Sequence, residues 1–173
     1  VRKELSMETP DPGPARKSRR RQELSPAARA LGLLVRREHS RQELTRKLIA
    51  RGIAAEEASA AVARMAAEGW QDDGRFAASV ARNRASNGYG PLRIRAELKT
   101  HGLDGDTITS ALSALGDAGN DDWIAQARDL VQRRYGLTIA HDTALRHKAA
   151  DLLIRRGFDG DCVRAAVRPA ADD

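Results

Sequence analysis

The chain has 173 residues, of which 3% are aromatic and 31% charged, with a formal net charge of +6 and a pI near 10.1. A single cysteine, Cys162, excludes an intramolecular disulfide and fits a reducing compartment. No apolar run approaches the roughly 20 residues of a membrane span, and the N-terminus lacks the apolar core of a signal peptide. The expectation is a soluble, cytoplasmic monomer with no membrane contact. So few aromatics argue against one large core, and Ala, Arg, Leu and Glu favour helix. The basic balance points to nucleic acid, an acidic protein surface or an anionic membrane. It lies toward the N-terminus: residues 1–24 hold seven Lys/Arg against four Asp/Glu, and residues 117–173 hold nine against ten.

Residues 1–24 combine Pro10, Pro12 and Pro14 with the run Arg16-Lys17-Ser18-Arg19-Arg20-Arg21. They have little to bury and are expected to form a disordered tail, its basic run either solvated or a nonspecific phosphate-binding arm. Order begins at Ser25-Pro26, an N-cap oxygen followed by the residue best suited to the first helical position. Ala27, Ala30, Leu31, Leu34 and Val35 then share one helical face. Ser40-Arg41-Gln42-Glu43 is a capping-box pattern opening a second helix with Leu44 and Leu48, which Gly52 stops. A third helix carries Ala58, Ala61, Val62 and Met65 and ends at Gly69. The pattern recurs with Asp72 and Asp73 as candidate caps ahead of Phe76, Ala77, Val80 and Ala81. Gly88-Tyr89-Gly90-Pro91 separates that helix from one with Ile94 and Leu98, ended by Gly102, and Ile108, Ala111, Leu112 and Leu115 mark the next. Asn120-Asp121-Asp122 opens a third round. It carries Ile124, Ala127 and Val131 up to Gly136, then Leu145, Ala149, Leu152 and Leu153 up to Gly157, then Val163, Ala166 and Val167.

Aligning Gly52, Gly102 and Gly157 exposes the repeat. Leu48, Leu98 and Leu153 stand four residues before, and Ile53, Leu103 and Phe158 one after. Ala58, Ile108 and Val163 stand six after, and Val62, Leu112 and Val167 ten after. The period is 50 and then 55 residues, suited to helical repeats. The expected fold is all-α, a tandem array of three three-helix, helix-turn-helix-like repeats at 25–70, 71–116 and 117–168. A short tail at 169–173 follows. A triplet is too small to bury much alone, so stacking on neighbours is expected to cover it in an elongated array able to curve.

Nothing reads as catalysis. Phosphate-loop and dinucleotide fingerprints are absent, and Gly88-Tyr89-Gly90 is better explained as a helix boundary. His39, His101, His141 and His147 include no i, i+4 pair for zinc. Cys162 reads as a small apolar residue. Asp72-Asp73 and Asp121-Asp122 read as caps rather than metal ligands. Trp70 and Trp123 lie at repeat junctions and read as inter-repeat packing, with a partner-binding anchor as the alternative. The chain is therefore expected to be no enzyme and to hold no cofactor or metal.

The informative charges are basic and helical. Arg93, Arg95 and Lys99 share a helix in the middle repeat, Arg95 and Lys99 as i, i+4 neighbours. Arg75, Arg82 and Arg84 lie on the preceding helix. Arg36, Arg37, Arg46, Lys47 and Arg51 do similar duty in the first repeat, and Arg133, Arg134, Arg146 and Lys148 in the third. Any one can be a solvated surface charge; together, along an array, they make a candidate stripe for a charged groove. Arg and Lys alone give phosphate affinity without base readout, and the second helices carry few base-reading side chains apart from Gln42.

The middle repeat reads Asp73-Gly74-Arg75-Phe76-Ala77, Arg82, Gly88-Tyr89-Gly90-Pro91, Arg93-Ile94, Glu97-Leu98, Gly102-Leu103. It resembles the D-x-R-F-A … G-x-x-R-I-x-x-E-L-x-x-x-G signature of the RecX family of recombination regulators. The first repeat is similar through Leu34, Arg36-Arg37, Ser40, Glu43-Leu44, Lys47-Leu48 and Gly52. The third is similar mainly in Gly157-Phe158-Asp159 and its apolar spacing. The resemblance implies a regulator that binds RecA and the RecA–DNA filament, lies along the filament's helical groove and touches more than one protomer. It implies suppression of ATP hydrolysis, strand exchange and repressor cleavage, with Arg75 and Arg93 on motif positions. Direct contact with single- or double-stranded DNA stays open, as do two other readings: a nucleic-acid-binding helical module independent of RecA, and a scaffold for a different acidic protein.

Overall fold

The computed structural model describes residues 24–117, 122–136, 139 and 142–168. Most of the expected N-terminal tail, together with Asn120, Asp121, His141 and residues 169–173, lies outside the described residues. Among the described residues there are nine helices and no strand. They are α1 (Pro26–Leu34), α2 (Arg41–Ile49), α3 (Ala55–Ala67), α4 (Asp73–Ser86), α5 (Pro91–Thr100), α6 (Gly105–Asp117), α7 (Trp123–Tyr135), α8 (Thr143–Arg156) and α9 (Gly160–Val167). They form three triplets in which the first and third helices share the most extensive packing.

The repeat seen in the sequence is a repeat of burial. Leu48, Leu98 and Leu153 are all fully buried, and Ile53, Leu103 and Phe158 close the same end of each core. Gly52, Gly102 and Gly157 have φ of 83°, 78° and 84°, the left-handed conformation that ends a helix and that a Cβ would strain. In the first and third triplets the residue after the glycine donates its N–H back to the buried leucine's carbonyl, Ile53 to Leu48 and Phe158 to Leu153. Apolar burial is divided into three separate clusters. Leu44, Leu48, Val62 and Met65 centre the first, Phe76, Ile94, Leu98 and Leu115 the second, and Val131, Leu153, Phe158 and Val163 the third.

The structure corrects several details. In α1 the buried pair is Ala30 and Leu33, and Val35 is 76% exposed, because the helix ends at Leu34 and the expected stripe does not continue through Val35. Ile124 is also exposed. Trp123 beside it packs against both the second and third clusters, as expected of a junction residue, whereas Trp70 is 52% exposed. Ser25, Ser40, Asp72 and Asp122 each accept a backbone N–H at a helix start. The capping box at Ser40 is half formed: Ser40 Oγ accepts from Glu43 N, but the Glu43 carboxylate turns to Arg37. Asp73 does not cap its own helix; it reaches across to the first triplet. Extensive helix packing is confined within triplets, so stacking is replaced by two local joints.

Candidate interaction surface and the joints behind it

The joint between the first two triplets is polar. Gln71, buried, donates through Nε2 to the His39 carbonyl (3.2 Å) and to Asp73 Oδ1 (2.8 Å), and its Oε1 accepts from Arg41 Nε (3.2 Å). Asp73 Oδ1 also accepts from Arg41 N at 2.9 Å. Arg75 straddles the same joint. Its Nε donates to Glu38 at 2.9 Å, and its terminal nitrogens donate to the carbonyls of Gly69 and Trp70 at 3.1 and 3.0 Å. These carbonyls follow α3, where a helix end leaves acceptors without intrahelical partners. Gln71 was not singled out in the sequence; nothing local distinguishes it from any polar linker residue.

The joint between the second and third triplets, beside the Trp123 side chain that packs on both clusters, is built on backbone hydrogen bonds. Gly90 N donates to the Arg156 carbonyl (2.8 Å) and Leu92 N to the Gly157 carbonyl (3.0 Å). The C-terminus of α8 thus supplies acceptors to the unpaired N–H groups that begin α5, and the two helix dipoles meet with opposite ends together. A methyl group at Gly90 would overlap the Gly157 carbonyl, and one at Gly157 would overlap the backbone of Arg93. Arg156 completes the lock: Nη1 donates to the Asn87 carbonyl at 3.0 Å, and the guanidinium lies 4.5 Å from the centre of the Tyr89 ring.

The basic residues divide by their neighbours. Arg84 makes two bonds of 2.7 Å to Glu97, which hold the Glu97 carboxyl below its ordinary range and raise the guanidinium. Arg37 pairs with Glu43 at 2.5 Å, and Lys47 and the buried His39 each lie 3.1 Å from the same carboxylate. Burial works to raise the Glu43 pKa, but the hydrogen bonds from Arg37, His39 and Lys47 outweigh it and carry the pKa down to about 2. Burial in turn keeps His39 below the usual imidazole value against the pull of Glu43. Arg133 pairs with Asp129 one turn away, Arg146 donates to Thr143 Oγ1, and Arg46 reaches only Gln42 at 3.4 and 3.5 Å. Among the described residues Arg36, Arg51, Arg82, Arg93, Arg95, Lys99, Arg134 and Lys148 make no ion pair.

Helix α5 brings three of these together. Ile94 and Leu98 face the core, which leaves Leu92, Ala96 and Lys99 exposed on the other side, with Arg95 half-buried on the flank. Arg93 sits at the joint beside Gly157, so the end of α8, with Arg155 exposed, adjoins the same helix. The remaining chemistry is quiet. No three His, Cys, Asp or Glu side chains converge as metal ligands among the described residues. Burial and then Asp159 push the Cys162 thiol up to about 11, away from thiolate reactivity. No described helix is long and apolar enough to cross a membrane.

The comparisons with known proteins follow the triplets. Residues 28–65, 72–112 and 120–167 match the first, second and third three-helix domains of RecX. The Regulatory protein RecX of Xanthomonas axonopodis pv. citri (strain 306) is 58% identical over 167 residues, covering 96% of this chain and all of that protein. The Regulatory protein RecX of Stenotrophomonas maltophilia (strain R551-3) is 58% identical over 160 residues, covering 92% and 96%. The crystal structure of RecX from Lactobacillus salivarius superposes with a TM-score of 0.67 at 22% identity, over 82% of this chain and 92% of that one. A second crystal structure, of a regulatory protein RecX, gives 0.68 at 21% identity over 82% and 69%. At that identity the two crystal structures speak to the fold alone.

Proposed function

The chain belongs to the RecX family, and from that premise we propose that it is a regulator that binds RecA and the RecA–DNA filament in its helical groove. Through that contact it lowers RecA's ATPase, strand exchange and co-protease activities. The observation that carries the reading is the match of all three triplets to RecX domains, among relatives that are named regulatory proteins. Two features support it. The array places basic residues without carboxylate partners on outward faces, where a groove walled by protein and phosphate would meet them. Among the described residues no three His, Cys, Asp or Glu side chains converge as a metal or acid–base cluster.

The α5 face tests it. Arg95→Glu with Lys99→Glu reverses two neighbouring charges, and surface swaps of this kind change stability by under ~0.5 kcal/mol. Filament binding is expected to weaken and to lose part of its salt dependence, read by fluorescence anisotropy of the labelled chain on RecA-coated single strands at several salt concentrations. A folded double variant that binds like the parent removes α5 as the contact face. Equal affinity and an equal salt slope on DNA with and without RecA would favour the other reading, a nucleic-acid module acting without RecA.

A further inference from the structure

Leu92 and Ile154 are exposed by 54% and 61%, and they bracket the joint between the second and third triplets. Leu92 donates its own N–H to the Gly157 carbonyl, and Ile154 accepts the Gly157 N–H at 2.9 Å, so the two residues are tied through one glycine. Exposed leucines scattered singly are ordinary on protein surfaces. Here two large aliphatic side chains flank a junction whose geometry is fixed by backbone hydrogen bonds and by the close approach of Gly90 and Gly157. The same two helices carry Arg93, Arg95, Lys99 and Arg155, none of which makes an ion pair among the described residues. The carboxylates of these two helices are Glu97, held by Arg84, and the exposed Asp151; Asp159, just past the joint, is taken up in capping α9. The two helices that meet at the joint thus carry two exposed aliphatic side chains and an excess of basic over acidic residues.

We propose that this α5–α8 junction is a docking surface for an acidic protein face that presents an apolar side chain, with Leu92 and Ile154 as anchors and Arg93, Arg95, Lys99 and Arg155 as the charged rim. The proposal rests on the RecA reading above and deepens it, because it assigns the junction to the protein of the filament and not to its nucleic acid. A phosphate backbone satisfies arginines but offers nothing to two aliphatic side chains, and surfaces that hold bare single strands stack bases on aromatic rings. Protein interfaces set a few desolvated apolar or Arg anchors inside a polar rim. The locked joint adds pre-organisation: the anchors stand on the ends of two helices that do not reorient on binding, so less ordering has to accompany association.

The test compares the full chain with two variants on two probes, a RecA filament on single-stranded DNA and the same oligonucleotide bare. Leu92→Ser with Ile154→Ser removes only exposed apolar surface. It is expected to melt like the parent, to bind the filament roughly tenfold more weakly, and to hold bare DNA as before. Gly90→Ala leaves both anchors in place but cannot close the joint; it is expected to weaken filament binding while circular dichroism keeps the helix content. Parental filament affinity in the Leu92/Ile154 variant overturns the proposal, and so does an equal loss on bare DNA, which would make the occupant nucleic acid. If the parent itself ignores the filament, the RecA reading fails and this assignment falls with it.

Discussion

Arg84 and Arg95 lie on adjacent helices of one triplet and carry the same charge, yet Arg84 is clamped twice by Glu97 while Arg95 has no carboxylate partner. The difference is not visible along the chain, because Arg84 and Glu97 come together only when α4 packs on α5. Arg75 is the stronger case. It stands on a motif position, and its guanidinium is engaged by Glu38, 37 residues away, and by two carbonyls after α3. Glu43 shows a local pattern overridden by a neighbour: the sequence places it to complete a capping box, and Arg37 takes its carboxylate instead. That arrangement has a pH consequence. The folded pKa of Glu43 is about 2 against 4.5 for an ordinary glutamate, so its contribution is present above pH ~4.5 and is lost as pH falls toward 2. Denaturant unfolding across that window is expected to show a steeper loss of stability in the parent than in Glu43→Gln. Parallel pH profiles would mean that the carboxylate contributes nothing to the fold.

Helices and their stops were legible because they rest on local chemistry. A glycine that must adopt positive φ, a leucine one turn before it and an apolar residue just after it define each second helix, and the spacing survives all three triplets. The facing of α1 and the exposure of Ile124 were less legible, since short helices leave the apolar stripe ambiguous by one residue and only packing decides. The joints were not legible at all. Arg156 and Asn87 are 69 residues apart, and the α8–α5 junction is built from backbone groups that every residue but proline carries. Three separate clusters connected by such joints should also yield separately. Leu48 is fully buried in the first cluster, and Leu48→Ala is expected to cost about 2–5 kcal/mol there. Hydrogen exchange should lose protection across α1–α3 while α7–α9 keep theirs. A uniform loss across all nine helices would show one cooperative core instead.

At the scale of the whole molecule, the family was legible in the sequence through the resemblance of its middle repeat, and membership follows from all three triplets. A contact surface was not legible. The sequence nominated fifteen basic residues without ranking them, and the structure divides them into those held by carboxylates and those without a carboxylate partner among the described residues. A net charge of +6 favours approach to phosphate or any acidic surface, but long-range attraction does not choose a face. The faces are chosen by the joints, which fix how the three triplets are presented. The central claim is that this array acts on RecA. Its most direct test is RecA's DNA-dependent ATP hydrolysis, followed at constant RecA and single-stranded DNA while the full chain is titrated in. Hydrolysis should fall with added protein and, on the proposed reading that one chain touches more than one protomer, level off below the number of chains needed to match every RecA protomer. A rate that stays flat to a large excess of the folded protein would contradict the account.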